Sequence, residues 1–172
     1  MRATVSSALA LLAIAAAPAA ASAAGATISV TYVDAPHYTD GRLETRFGRK
    51  TDPYVENELR RFFEKLGARH LGEGQDLAIE ILDLDLAGRV AIARAPGENL
   101  RVMTDSTWPR VRLRYTLTRG GEVLKQGEEW VVDQTYLMRI GLSNTGDKLR
   151  YEKRMLPAWF QTRFAREQAA SK

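Results

Sequence analysis

A chain of 172 residues, 45% hydrophobic and 27% charged, has the composition of one folded domain rather than of a disordered or fibrous protein. Its net charge of +4 is too small for the basic footprint of a nucleic-acid binder. With no cysteine, it has neither disulfides nor thiolate metal ligands.

Residues 1–24 have the layout of a secretory signal peptide. Met1-Arg2 is a short positive start, residues 8–17 are an unbroken apolar run, and Pro18 precedes the small residues Ala21-Ser22-Ala23-Ala24. The run is too short for a permanent membrane helix. The expectation is a leader over 1–24 and a single domain over 25–172, working in the periplasm or secreted. Loss of Arg2 with the leader lowers the surplus of basic residues to +3. No later segment is long and apolar enough to be a transmembrane helix, and no Cys is present to carry a lipid anchor.

Residues 27–34 alternate Ile28, Val30 and Tyr32 with Ser29, Thr31 and Val33, which predicts a strand. Asp34-Ala35-Pro36 breaks it, and 37–50 is polar and irregular. Asp52-Pro53 predicts a helix start, with Asp52 as N-cap and Pro53 in the first turn. Val55, Leu59, Phe62, Phe63 and Leu66 form its apolar stripe, Glu56 and Arg60 an i,i+4 pair, and Gly67 or Gly72 its end. Residues 75–82 predict a second strand that runs into Asp83-Leu84-Asp85-Leu86-Ala87-Gly88. Residues 89–109 have no clean period, apart from a short strand near 100–103. A connection of that length is functional or mobile.

Residues 110–119 give the clearest strand: Val111, Leu113, Tyr115 and Leu117 face one way, Arg110, Arg112, Arg114 and Thr116 the other. Gly120-Gly121 signals a hairpin, and 122–132 is the return strand. A strict register opposes Arg112 to Glu129 and Val111 to Trp130 and turns Glu128 inward. A bulge near Gly127 shifts it, and the sequence leaves the register open. Residues 147–168 predict a C-terminal helix with Leu149, Leu156, Trp159, Phe160 and Phe164 buried, and a kink or fresh start at Pro157. The order predicts an α+β fold: a small mixed β-sheet, β-α-β then a β-hairpin, with two helices packed on one face.

Asp83-Leu84-Asp85-Leu86-Ala87-Gly88, Arg101-Val102, Trp108-Pro109-Arg110 leading into Leu113-Arg114-Tyr115, Asp133-Gln134-Thr135-Tyr136-Leu137 and Tyr151-Glu152-Lys153-Arg154-Met155-Leu156 with Trp159-Phe160 resemble the domain of unknown function 3016 family. That resemblance implies an exported bacterial single domain. It implies no activity and no catalytic residues.

Several side chains invite a chemical reading. Asp83 and Asp85, two apart on extended chain, project to one face, where hard cations favour such oxygens. The commoner use of such residues is to cap backbone amides or pair with Arg89 or Arg101. Arg110, Arg112 and Arg114 form a stripe with about 7 Å between neighbours, twice the strand rise. With Lys125 it can hold phosphate or carboxylate groups; its plain alternative is a sheet face with cross-strand partners such as Glu129. Trp108 at the mouth of the long loop is either core or a ligand platform. His37 and His70 are the only histidines, too few for a catalytic zinc site. Neither a G-x-S-x-G elbow nor a phosphate loop occurs.

The leading expectation is a non-enzymatic exported domain that binds an anionic envelope component or a periplasmic protein partner. Its candidate ligand-binding residues are Asp83, Asp85, Arg101, Trp108, Arg110, Arg112 and Arg114. No cofactor and no nucleic-acid partner are expected. One rival is a metal-assisted hydrolase using Asp83 and Asp85 with Asp133 or His37. Another is a structural or chaperone-like module whose sheet edge accepts a strand.

Overall fold

A computed structural model describes residues 25–43, 51–92, 99–138 and 146–169. The expected leader lies outside the described residues. In chain order the elements are β1 (Thr27–Tyr32), a 3-10 turn (Ala35–His37), α1 (Pro53–His70), β2 (Gln75–Asp85), β3 (Arg89–Ile92), β4 (Asn99–Val102), β5 (Arg110–Arg119), β6 (Glu122–Val132), a second 3-10 turn (Tyr136–Met138) and α2 (Arg150–Ala169). The main sheet has the order β1-β2-β5-β6. β1 runs parallel to β2, as a strand–helix–strand unit requires, and β2, β5 and β6 are antiparallel. This is the expected α+β arrangement.

Alternation places Leu77, Ile79, Ile81, Leu113 and Leu117 inward, each at most 1% exposed. They form one core with Val55, Leu59 and Phe63 of α1 and Leu156, Phe160 and Phe164 of α2. Trp159 sits edge-on to Phe63, Tyr115, Phe160 and Phe164, and this aromatic cluster locks α2 over β5.

α1 starts as its sequence dictates: Asp52 accepts from Tyr54 N at 2.9 Å and Pro53 opens the first turn. Its end differs from expectation. Leu71, in an extended conformation, caps the helix, and neither glycine does. Gly67 lies inside the last turn, where a Cβ would overlap Ile28 of β1. Arg60 lies over the Tyr32 ring, 5.6 Å from its centroid, and bonds Asn57, while its charge still acts on the Glu56 carboxyl. α2 runs through Pro157 as one element, so the expected restart does not occur.

The long connection is not irregular throughout. β3 and β4 pair antiparallel as a separate two-stranded sheet, from Arg89 opposite Val102 to Ile92 opposite Asn99. Two bulges then decide which side chains face where. In β6 the register slips between Leu117 and Thr118, leaving Leu124 unpaired. The strict register is therefore wrong by one residue: Leu113 opposes Glu129, Arg114 opposes Glu128 and Arg112 opposes Trp130. The slip lies at Leu124 rather than near Gly127. In β2 the slip comes between Ile81 and Asp83, and it turns Asp83 and Asp85 to the outer face opposite Arg112 and Arg110.

Candidate functional site

The ends of β2 and β4 and the start of β5 converge on a polar cleft whose frame is built by main-chain bonds. Asp40 continues the sheet beyond β1. Its N–H donates to Leu84 O at 2.8 Å, and its own carbonyl accepts Leu86 N at 2.9 Å. Gly88, at φ +76°, reverses the chain and donates to Thr107 O at 2.8 Å. A Cβ there would meet Val102 O, so the left-handed turn and the close approach of β4 both need glycine.

Arg101 holds this frame from inside. Its Nε donates to Ala87 O at 2.5 Å, its Nη1 to Arg42 O at 2.6 Å, and its Nη2 to Leu86 O, Gly88 O and the Asp40 carboxylate. With a side chain 9% exposed, Arg101 organises the cleft and does not present a surface cation. From the other side, the Glu152 carboxylate accepts Ala87 N at 2.8 Å. Burial pushes the Glu152 carboxyl above its ordinary value. Tyr136 stands edge-on to Tyr151, and Met103 and Trp108 pack against this pair. Tyr136 also donates its hydroxyl to Thr104 O at 2.7 Å.

On this frame sit two adjoining hollows. One, about 200 Å³, is lined by Asp85, Arg89, Ser106, Thr107, Trp108 and Arg110. The other, about 160 Å³, is lined by Thr39, Asp40, Arg42, Asp85, Arg89 and Val90. Asp85 and Arg89 belong to both. Asp85 pairs with Arg110 at 2.8 Å. Burial raises its carboxyl above the usual value, Arg110 opposes the rise, and Asp40 and Asp83 add to it. Asp40 is held by Arg101 at 3.1 Å and faces Arg42 at 3.5 Å. Arg89 is exposed, and among the described residues no carboxylate pairs with it.

The remaining predicted residues go elsewhere. Asp83 accepts from Thr39 N, Thr39 Oγ1 and Leu84 N at 2.6–2.8 Å, so it fixes the 38–43 segment on β2. Arg112 and Arg114 share Glu128, and Arg114 also reaches Glu80. These bonds hold the Glu128 carboxyl below its ordinary value. The stripe is thus a cross-strand ladder and not an open cation surface. Lys125 leaves it altogether and donates to Arg163 O at 2.7 Å. Glu129, the expected partner of Arg112, bonds Trp159 Nε1 at 3.0 Å and Arg163 Nε at 2.8 Å. His37 pairs with Asp34 at an exposed turn, and His70 lies against Phe160. Asp133 accepts from Thr135. Among the described residues, no group of three His, Asp or Glu side chains is placed to hold a metal ion.

The structure therefore brings Asp85, Trp108 and Arg110 together, and adds Asp40, Arg42, Arg89, Ser106 and Thr107, which sequence reasoning missed. Their signals were the polar, irregular stretch 37–50 for Asp40 and Arg42 and the long aperiodic stretch 89–109 for Arg89, Ser106 and Thr107.

Fold and cleft together define a small α+β domain with an arginine-lined hollow where its two sheets meet. Residues 26–162 match the family described as Protein of unknown function (DUF3016), and the chain belongs to that family. No curated protein and no solved structure gives a match.

Proposed function

We propose that this is an exported, non-enzymatic domain that binds a carboxylate- or phosphate-bearing component of the cell envelope in the cleft between β2, β3 and residues 104–110. Arg89 carries the reading. It belongs to both hollows and is open to an incoming anion, whereas Arg42, Arg101 and Arg110 face carboxylates of the chain. A guanidinium of that kind offers paired N–H groups with the geometry of carboxylate and phosphate. Beside it, Trp108 supplies a flat apolar wall and Ser106 and Thr107 supply hydroxyls, a combination suited to a charged sugar. The signal-like leader supports the compartment. The binding reading is preferred to the metal-assisted one because the carboxylates of Asp83 and Asp85 are engaged separately, by Thr39 and by Arg110.

Sedimentation with purified envelope fractions tests the proposal. The intact domain is expected to co-sediment, and Arg89→Glu to abolish this. The pair Arg112→Glu and Arg114→Glu is expected to leave it unchanged, because those residues lie on the outer ladder. Equal sedimentation of the Arg89→Glu variant ends the reading. Recovery of the protein from cytosol with Met1 attached ends its envelope setting.

A further inference from the structure

We infer that the outer edge of β6, with the groove between β6 and α2, docks an extended acidic segment of a partner protein as an added strand. β6 is the last strand of the sheet. Asp133 N donates to Pro109 O, which sets the phase of the ladder. Bonded pairs alternate along an antiparallel pair, so Val131, Glu129 and Gly127 turn their backbone groups to β5. Val132, Trp130 and Glu128 turn theirs the other way, and among the described residues no backbone group answers them.

Exposed edges are normally guarded by proline, by charge or by a cover. Beyond its charged residues Glu128 and Glu129, the C-terminal end of this one displays apolar surface. Trp130 is 45% exposed and Val132 39%, and Leu137 and Met138 follow at 44% and 82%. These are four of the eight large apolar side chains exposed among the described residues, gathered between positions 130 and 138. Arg110 lies over the Trp130 ring at 5.4 Å and steadies it. Trp130 and Val132, two residues apart on one face of β6, present a joint apolar surface of the kind that marks an interaction site.

Beside the edge lies the groove, about 320 Å³, with Trp130, Val132, Arg154, Met155, Trp159 and Arg163 in its walls. An added strand alternates its side chains, placing one set over Trp130 and Val132 and the other in the groove. Charge selects the occupant. Arg163 is paired with Glu129. Arg154 is exposed and has no carboxylate partner among the described residues. A second copy of β6 offers Arg154 little, since its Glu128 and Glu129 are already held by Arg112, Arg114 and Arg163. A separate acidic strand answers both the edge and the cation that no described residue answers.

The experiment uses two synthetic ten-residue peptides that alternate Thr and Val, one with two Thr replaced by Glu, the other by Lys. Amide exchange is followed in the whole domain. The acidic peptide is expected to slow exchange at Glu128, Trp130 and Val132 by about tenfold or more, and the basic peptide to leave it unchanged. Val132→Pro removes an outward N–H without touching the β5 ladder and is expected to abolish the effect. Arg154→Glu, at an exposed position that leaves the fold intact, is expected to reverse the preference toward the basic peptide. No protection by either peptide, equal protection by both, or protection that rises with protein concentration alone overturns the inference, the last by making a second copy the occupant. Arg89 variants are expected to have no effect, so this test stands apart from that of the cleft.

Discussion

Arg101 Nη2 meets Asp40 Oδ2 at 3.1 Å inside a ring of four main-chain carbonyls, those of Arg42, Leu86, Ala87 and Gly88. One buried guanidinium thereby joins the 38–43 segment, the end of β2 and the β3–β4 sheet. The planar fork matches this set of acceptors, and an ammonium does not. Arg101→Ala is expected to cost about 3–5 kcal/mol, since it leaves buried carbonyls without a donor and the Asp40 carboxylate with Arg42 alone. Arg101→Lys is expected to recover only part of that. Urea unfolding midpoints measure both. A loss in the Ala variant no larger than that of an exposed-surface substitution contradicts the organising role.

Gly88 gives a second test of the same frame. Its φ of +76° and its approach to Val102 O leave no place for a side chain. Gly88→Ala is expected to cost at least about 1–3 kcal/mol from the left-handed backbone alone. Gly121, also left-handed at φ +85° but open to solvent, isolates the conformational part. Ala there is expected to cost less than at Gly88 in the same unfolding assay.

The Glu152 carboxyl yields a pH dependence of definite sign. Burial raises its value in the folded state, and the hydrogen bond from Ala87 N and the charges of Arg101 and Arg150 oppose the rise. The folded chain therefore binds this proton more tightly than the unfolded chain. Its contribution to stability is full below the unfolded value of about 4.3 and is lost as pH climbs toward the folded value. Glu129 runs the opposite way. Bonds from Arg163 and Trp159 hold its carboxyl low, so its contribution is present at neutral pH and lost on acidification. Glu152→Gln keeps an acceptor for Ala87 N and removes the titration. The variant is expected to be more stable than the parent at pH 7, with the gap closing toward pH 4. A gap independent of pH contradicts the assignment.

Leu124 tests what sets the β6 register. It is the unpaired residue at the slip, and the slip delivers Glu129 to Arg163 and Trp159 and leaves Glu128 with Arg112 and Arg114. Deleting Leu124 removes the extra residue and joins Val123 to Lys125, so Lys125 stays opposite Leu117 and Glu128 opposite Arg114. Only the packing of Leu124 against the core is lost, so a modest fall in the thermal midpoint with the downstream pairing retained is expected. A variant whose cross-strand amide contacts put Glu128 opposite Leu113 contradicts the placement of the slip.

The elements readable in the chain are those whose signal is local. Asp52-Pro53 starts α1 because a short carboxylate and a fixed φ act within one turn. The alternation from Arg110 to Arg119 is β5 because one face is buried throughout. The slips in β2 and β6 were not readable, since a two-residue period does not reveal a single extra residue. They follow from which side chains α2 and the core accept. The cleft was half readable for the same reason. Asp85 and Arg110 stand at the ends of patterned strands and Trp108 beside Pro109 at the mouth of the long connection, while Asp40 and Arg89 reach the site from segments whose pairing is long-range.

The most direct test of the cleft is a titration of the isotope-labelled domain with a muramic-acid-containing saccharide, read by the Arg89 and Arg110 guanidinium signals and the Trp108 indole signal. Saturable shifts at all three, removed by Arg89→Ala while the fold is retained, are the predicted result. Shifts confined to Arg112 and Arg114, or a response of the Arg89→Ala variant equal to that of the parent, contradict it.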